Sequence, residues 1–238
     1  MPFNIPYYLH RTLFYLTIPI FVVLFYLFGD TPEHFDLIYI GALVLSCIFC
    51  WTDKDTLGAL VILLGLWCLS RTLYMLAHSD YILVSTYLSC VLLSFFYLKT
   101  KTAKVTLLVT LSCIGIELFW FFTEYGRKPT IHYLIALLTL TSISRELLLQ
   151  RVFLLNKYFG YISGKIALDW QLKNILFIEC TILLAMLIEY FIRHLAGFSN
   201  ITYVYETFTL VANVLSGVTL IVIYMHYFHN QSRKHLPA

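Results

Sequence analysis

Apolar residues run along this chain in eight long blocks separated by short polar breaks. The blocks are Arg11–Phe28, Phe35–Trp51, Leu57–Leu76, Tyr81–Leu98, Val105–Thr123, Ile131–Leu149, Asn174–Arg193 and Tyr203–Phe228. Each is close to the roughly 17–25 residues that a helix needs to cross the hydrocarbon core of a bilayer. A transmembrane β-barrel would instead show alternating segments of about ten residues, whereas these runs are solidly apolar. The pattern predicts an all-α, polytopic membrane protein: one bundle of about eight transmembrane helices occupying residues 1–238. Gly29-Asp30-Thr31-Pro32, Thr52-Asp53-Lys54-Asp55, Gly126-Arg127-Lys128-Pro129 and Gly197-Phe198-Ser199-Asn200 supply the turns. Pro129 suits the start of the sixth helix, where a missing N–H costs nothing.

Composition excludes the other classes. Hydrophobic residues make up 60% of the 238 and charged residues 12%, with a mean hydropathy of +0.81. Soluble domains carry about 25% charged residues, so too little polar surface remains to clothe a water-soluble globule. Disorder is excluded on the same ground, and no basic stretch is long enough for a nucleic-acid partner. The six cysteines (Cys47, Cys50, Cys68, Cys90, Cys113 and Cys180) all fall inside apolar runs, where thiols act as small buried hydrophobes. Residues Met1 to His10 are too few and too aromatic for a cleavable signal, which predicts that the first block is retained as an anchor.

Charge placement sets the expected orientation. With every Lys and Arg assigned to its nearest loop, all but Arg71, Arg127, Lys128 and Arg193 collect on one face. The positive-inside rule makes that face cytoplasmic and puts both termini there. Short loops and retained spans suggest a bacterial inner membrane. The one long connection, residues 150–173, is expected on the cytoplasmic side as an interfacial segment rich in Tyr, Trp and Lys. It is also the expected surface for a second copy or another partner chain; otherwise the partner is the lipid bilayer.

Ionisable groups cost roughly 2.5–3.5 kcal/mol at a helix centre in the membrane, so they mark function. Arg71, Glu117, Glu124, Glu189, Glu206 and Asn213 fall in the expected outer half, where carboxylates could bind a cation or relay protons. A purely structural role would pair Arg71 with Glu117, and Arg193 with Glu189 one helical turn away. On the cytoplasmic side lie Glu146, Glu179, His226 and His229. His132, Thr139 and Glu146 share one face of the sixth helix at seven-residue steps and could extend a polar track across the membrane.

No cofactor or metal is expected. Cys47-x-x-Cys50 has no further ligands at zinc spacing, His226-x-x-His229 has no acidic residue at metalloprotease spacing, and the last block contains no lysine for a retinal Schiff base. One set of motifs is similar, with departures, to a known family. Arg145-Glu146-Leu147-Leu148-Leu149-Gln150-Arg151, Tyr190-Phe191-Ile192-Arg193-His194 and His226-Tyr227-Phe228-His229-Asn230 resemble the EExxxR, FxxxH and HxxxN elements of the intramembrane glutamic proteases that process CAAX proteins. The first glutamate is replaced by Arg145, the arginine is displaced by one position, and Tyr190 stands where the family has Phe. The expected topology also puts His194 on the opposite face from Glu146 and His226. The resemblance implies a hydrolase acting on a membrane peptide or lipid, with Glu146 and His226 in the chemistry. The residues themselves favour a small channel- or transporter-like protein; a sensory or assembly subunit working through a partner is the other non-enzymatic alternative.

Overall fold

The computed structural model describes residues 5–28, 31–51, 53–76, 80–98, 100–124, 131–160, 166–195, 198 and 201–234. The Gly126–Pro129 turn, Gly197, Ser199, Asn200 and Lys165 lie outside them. The described residues form eight α-helices and no strand: α1 Ile5–Phe28, α2 Pro32–Phe49, α3 Lys54–Leu76, α4 Asp80–Phe96, α5 Lys101–Phe122, α6 Ile131–Phe159, α7 Ile166–Leu195 and α8 Tyr203–Lys234. Each of the eight apolar blocks has become a helix. Among the described residues, five segments are long and apolar enough to cross a membrane: Lys54–Met75, Lys101–Phe122, Ile131–Tyr158, Ala167–Leu195 and Tyr203–His229. Tyr15–Phe28, His34–Phe49 and Leu83–Phe96 are shorter apolar stretches.

Local chemistry sets several helix ends. Pro32 opens α2 behind an extended Thr31, the position where proline's fixed φ fits and its missing N–H is not needed. Thr100 caps α5, its hydroxyl accepting the Ala103 N–H at 3.2 Å. Gly160 follows α6 at φ +60° and donates its N–H to the Asn156 carbonyl at 3.1 Å; this left-handed closure is one that glycine adopts without penalty.

Here the structure corrects the expected loop. Residues 150–173 are mostly the last turns of α6 and the first turns of α7, with Gly160 opening a six-residue connection. Its Tyr, Trp and Lys residues had suggested an interfacial segment. Arg151 and Asp169 are instead buried side chains of long helices.

Large apolar side chains cover much of the surface; Tyr26 is 84% exposed, Phe96 80% and Phe122 79%. Water would not favour such a surface, whereas a lipid environment does. Of the five long segments, Ile131–Tyr158 is the most buried, at 61%, against 22–33% for the others. That fits its composition, because Thr139, Thr141, Ser142, Ser144, Glu146 and Arg151 all avoid the surface, as polar groups must where the surroundings are hydrocarbon.

The chain divides into two compact units: residues 1–64, 151–172 and 207–238, and residues 65–150 and 173–206. In the first, α1 packs on α2 through Phe25, Phe35 and Tyr39. Ser46 and Tyr224 share a buried hydrogen bond of 2.8 Å, and the Tyr227 hydroxyl donates to the Phe49 carbonyl at 3.3 Å. In the second, α4 packs on α5, while Trp120, Tyr190 and His194 form an aromatic cluster, with Tyr190 and His194 4.3 Å apart.

Candidate functional site

The second unit carries a buried polar track built on α5. Thr102, Thr106, Thr110, Cys113 and Glu117 follow one another at steps of four, four, three and four, so they share one face of the helix. Fifteen residues at 1.5 Å each make this stripe about 22 Å long. Thr106, Thr110 and Cys113 are fully buried. Their neighbours on α4 are Tyr87, Cys90 and Ser94, all buried, and on α6 Thr139, Ser142 and Glu146, also buried.

At one end, Glu146 accepts the Thr102 hydroxyl at 2.9 Å and the Arg145 guanidinium at 3.1 Å. Arg145 Nη1 also reaches the Thr102 oxygen at 3.3 Å, and its guanidinium lies 5.4 Å from the Phe177 ring centroid. At the other end, the Tyr87 hydroxyl donates to Glu117 at 3.2 Å, with Cys90 and Cys113 close enough to feel its charge. Between the ends, Thr106 and Ser142 meet at 3.2 Å and Ser142 meets the Cys180 thiol at 3.6 Å. Thr106 and Thr110 donate back to the carbonyls of Thr102 and Thr106 on their own helix. Their lone pairs therefore face the track, and Ser142 is the donor to Thr106.

Beside Glu146 the track opens into a narrow cleft lined by Ser94, Tyr97, Thr102, Thr106, Thr139 and Ser142 among others. Two of these hydroxyls, Ser94 Oγ and Thr139 Oγ1, are buried without a hydrogen-bond partner. Thr139 lies beside the Cys90 thiol but lacks the geometry of a hydrogen bond to it. Buried hydroxyls without partners cost about 1–3 kcal/mol each unless something small pairs with them.

The other sequence candidates are placed differently. Glu189 is buried and accepts the backbone N–H groups of Val204 at 2.6 Å and Tyr205 at 3.2 Å. It thus caps α8, rather than forming an ion pair with Arg193 among the described residues; a carboxylate at a helix N-terminus is favoured by the helix dipole and the spare donors there. Glu206 is exposed and accepts the Thr202 hydroxyl at 2.6 Å. Glu124 is exposed, at φ 49°. Arg71 is half-buried, its guanidinium 6.0 Å from the Tyr74 ring centroid. Glu179 is half-buried on α7. Asn213, His226 and His229 belong to the first unit; Asn213 and His226 are half-buried and His229 is exposed. Of the ten candidates, the track joins Glu117 and Glu146.

Sequence reasoning missed a buried ion network in the first unit. Arg151 donates to both carboxylate oxygens of Asp169, Nε at 2.7 Å and Nη2 at 2.8 Å, in the two-pronged geometry that guanidinium suits. Its Nη1 donates to the Asp55 carbonyl at 2.8 Å and to the Asp55 carboxylate at 3.2 Å. Exposure of the three side chains is 2%, 4% and 4% for Arg151, Asp169 and Asp55. His226 is near enough to act on Asp169. A Cβ at Gly58 would lie 3.3 Å from Arg151 Cδ, so a larger residue there would press on the arginine stem.

Metal and redox readings gain no support. Among the described residues no three His, Cys, Asp or Glu side chains gather as a metal set, and the six cysteines are free. Cys50 is fully buried, unlike the partly exposed thiols that react readily. Comparison of the chain with protein-family models, curated proteins and solved structures finds no match.

Proposed function

We propose that this chain is a small channel- or transporter-like membrane protein that passes or binds a proton or small cation along the track between Glu117 and Glu146. The observation that carries the reading is the track itself: two carboxylates at the ends of about 22 Å of buried hydroxyl and thiol groups. Polar side chains inside apolar helices are costly unless they face a pathway or one another. A structural role alone would pair each group, yet Ser94 and Thr139 are left over.

The membrane arrangement is part of the proposal. With α1 of 24 residues, α2 of 18 and α4 of 17, all eight helices meet the roughly 17-residue lower bound for spanning. The bias of Lys and Arg toward one face supports cytoplasmic termini in a bacterial inner membrane. The test is flux of protons and monovalent cations into liposomes holding the purified protein, beside its Glu117→Gln and Glu146→Gln forms. Flux in the native protein that either substitution abolishes supports the reading. Liposomes tight to every ion under every gradient refute it.

A further inference from the structure

The geometry points to the proton, carried through one water molecule seated beside Glu146, as what the track conveys, to the exclusion of metal cations. The inference rests on the transport reading above and narrows it to one permeant.

Size is the first ground. The interior of the cleft admits a water-sized body at about one position. A hydrated sodium or potassium ion does not fit there, and a bare one would need several oxygen ligands arranged round it to replace its shell. Crowding at the carboxylate is the second ground. The one carboxylate in the lining, Glu146, already has the Arg145 guanidinium 3.1 Å away. A metal cation on that oxygen would need room for itself and its other ligands beside the guanidinium, whereas a proton that adds to the carboxylate takes no comparable volume.

Hydrogen bonding is the third ground. A buried water needs two to four polar partners. The cleft offers the two unpartnered hydroxyls, Ser94 Oγ and Thr139 Oγ1, together with the Glu146 carboxylate. Such a water would lie beside the Thr106–Ser142–Cys180 chain of hydrogen bonds, which runs from α5 across α6 to α7. The step balances simply. A hydronium at the seated water's position gives a proton to a carboxylate oxygen of Glu146 and leaves water behind; transfer is completed when Glu146 releases that proton on its Thr102 side, away from the seated water. Around the site, the charged and titratable neighbours are Arg145 on α6, Cys90 on α4 and Tyr97 just after it, and Cys180 with Glu179 on α7.

The experiment loads liposomes with a pH-sensitive dye and imposes a potassium diffusion potential, with radioactive sodium uptake measured in parallel. Native protein is expected to pass protons and no sodium. Glu146→Gln is expected to abolish the proton flux, Ser94→Ala to cut it at least tenfold, and Ser94→Thr, which keeps the hydroxyl, to retain most of it. Elution of each variant as the native species in size-exclusion chromatography separates a lost site from a lost fold. Sodium uptake that disappears in Glu146→Gln would overturn the proton inference while leaving the transport reading standing. Proton flux indifferent to Ser94→Ala would overturn the seated water. Absence of any flux would sink the transport reading and this inference with it.

Discussion

Removing the Arg151 side chain should do more damage than any other single truncation in the first unit. In Arg151→Met the stem is roughly kept, while four hydrogen bonds of 2.7–3.2 Å vanish: two to Asp169 and two to Asp55. Two carboxylates that were 4% exposed then lose their counter-charge. Breaking a buried ion pair from one side costs about 3–5 kcal/mol, because the partner charge stays buried. At 1.4 kcal/mol per decade, that is about a hundredfold to a few thousandfold in the folding equilibrium. The assay is reversible unfolding in mixed detergent micelles, followed by intrinsic fluorescence. The control is a triple variant, Arg151→Met with Asp55→Asn and Asp169→Asn, which removes the stranded charges. It should recover a substantial part of the loss, since intact buried networks are often worth little net against neutral replacements. If Arg151→Met costs less than about 1 kcal/mol, or the triple variant is no more stable than the single one, stranded buried charge is the wrong account of this network.

Three further outcomes follow from the same packing. Gly58→Val should destabilise by about 1–3 kcal/mol through overpacking against Arg151 and Leu155, with much of that cost gone in an Arg151→Ala background; equal cost in both backgrounds would count against the contact. Glu189→Ala should cost about 1–3 kcal/mol, as for hydrogen bonds to a charged group, and should raise amide exchange at Val204 and Tyr205 specifically, so unchanged exchange there would disprove the cap. Cys50 should resist N-ethylmaleimide at pH 8 in the folded protein, because its side chain is fully buried and the reagent cannot reach it. Modification as fast as in the unfolded chain would contradict that placement.

The helices were legible because their signal is local. Each apolar block is read from its own residues, and the structure moves mainly the ends, as where α6 continues from Leu149 to Phe159. Part of the site was legible too. Glu117 and Glu146 stand out as charges in apolar runs, and the threonine stripe on α5 is written at helical spacing. Its meaning was hidden because threonine is common in helices that do nothing polar, and Ser94 gains significance only from what surrounds it. The Arg151 network left no trace in sequence. Its members are 18 and 96 positions apart, and each charge taken singly reads as an ordinary loop residue. Glu189 was misleading for the opposite reason, since its i+4 arginine suggested a partner that lost to two backbone donors.

Arg151 also bears on the order in which the chain assembles. Its two partners emerge from the ribosome at very different times: Asp55 long before it, Asp169 only after α6 has been made. Its charge lies two residues beyond the apolar block that ends at Leu149 and is no burden on that block. What waits for α7 is the closure of the network, because the two-pronged contact is the one to Asp169. A nascent chain stopped just after Phe159 should therefore hold the end of α6 less firmly than one stopped after Leu195, and an early Asp55→Asn change should widen the gap.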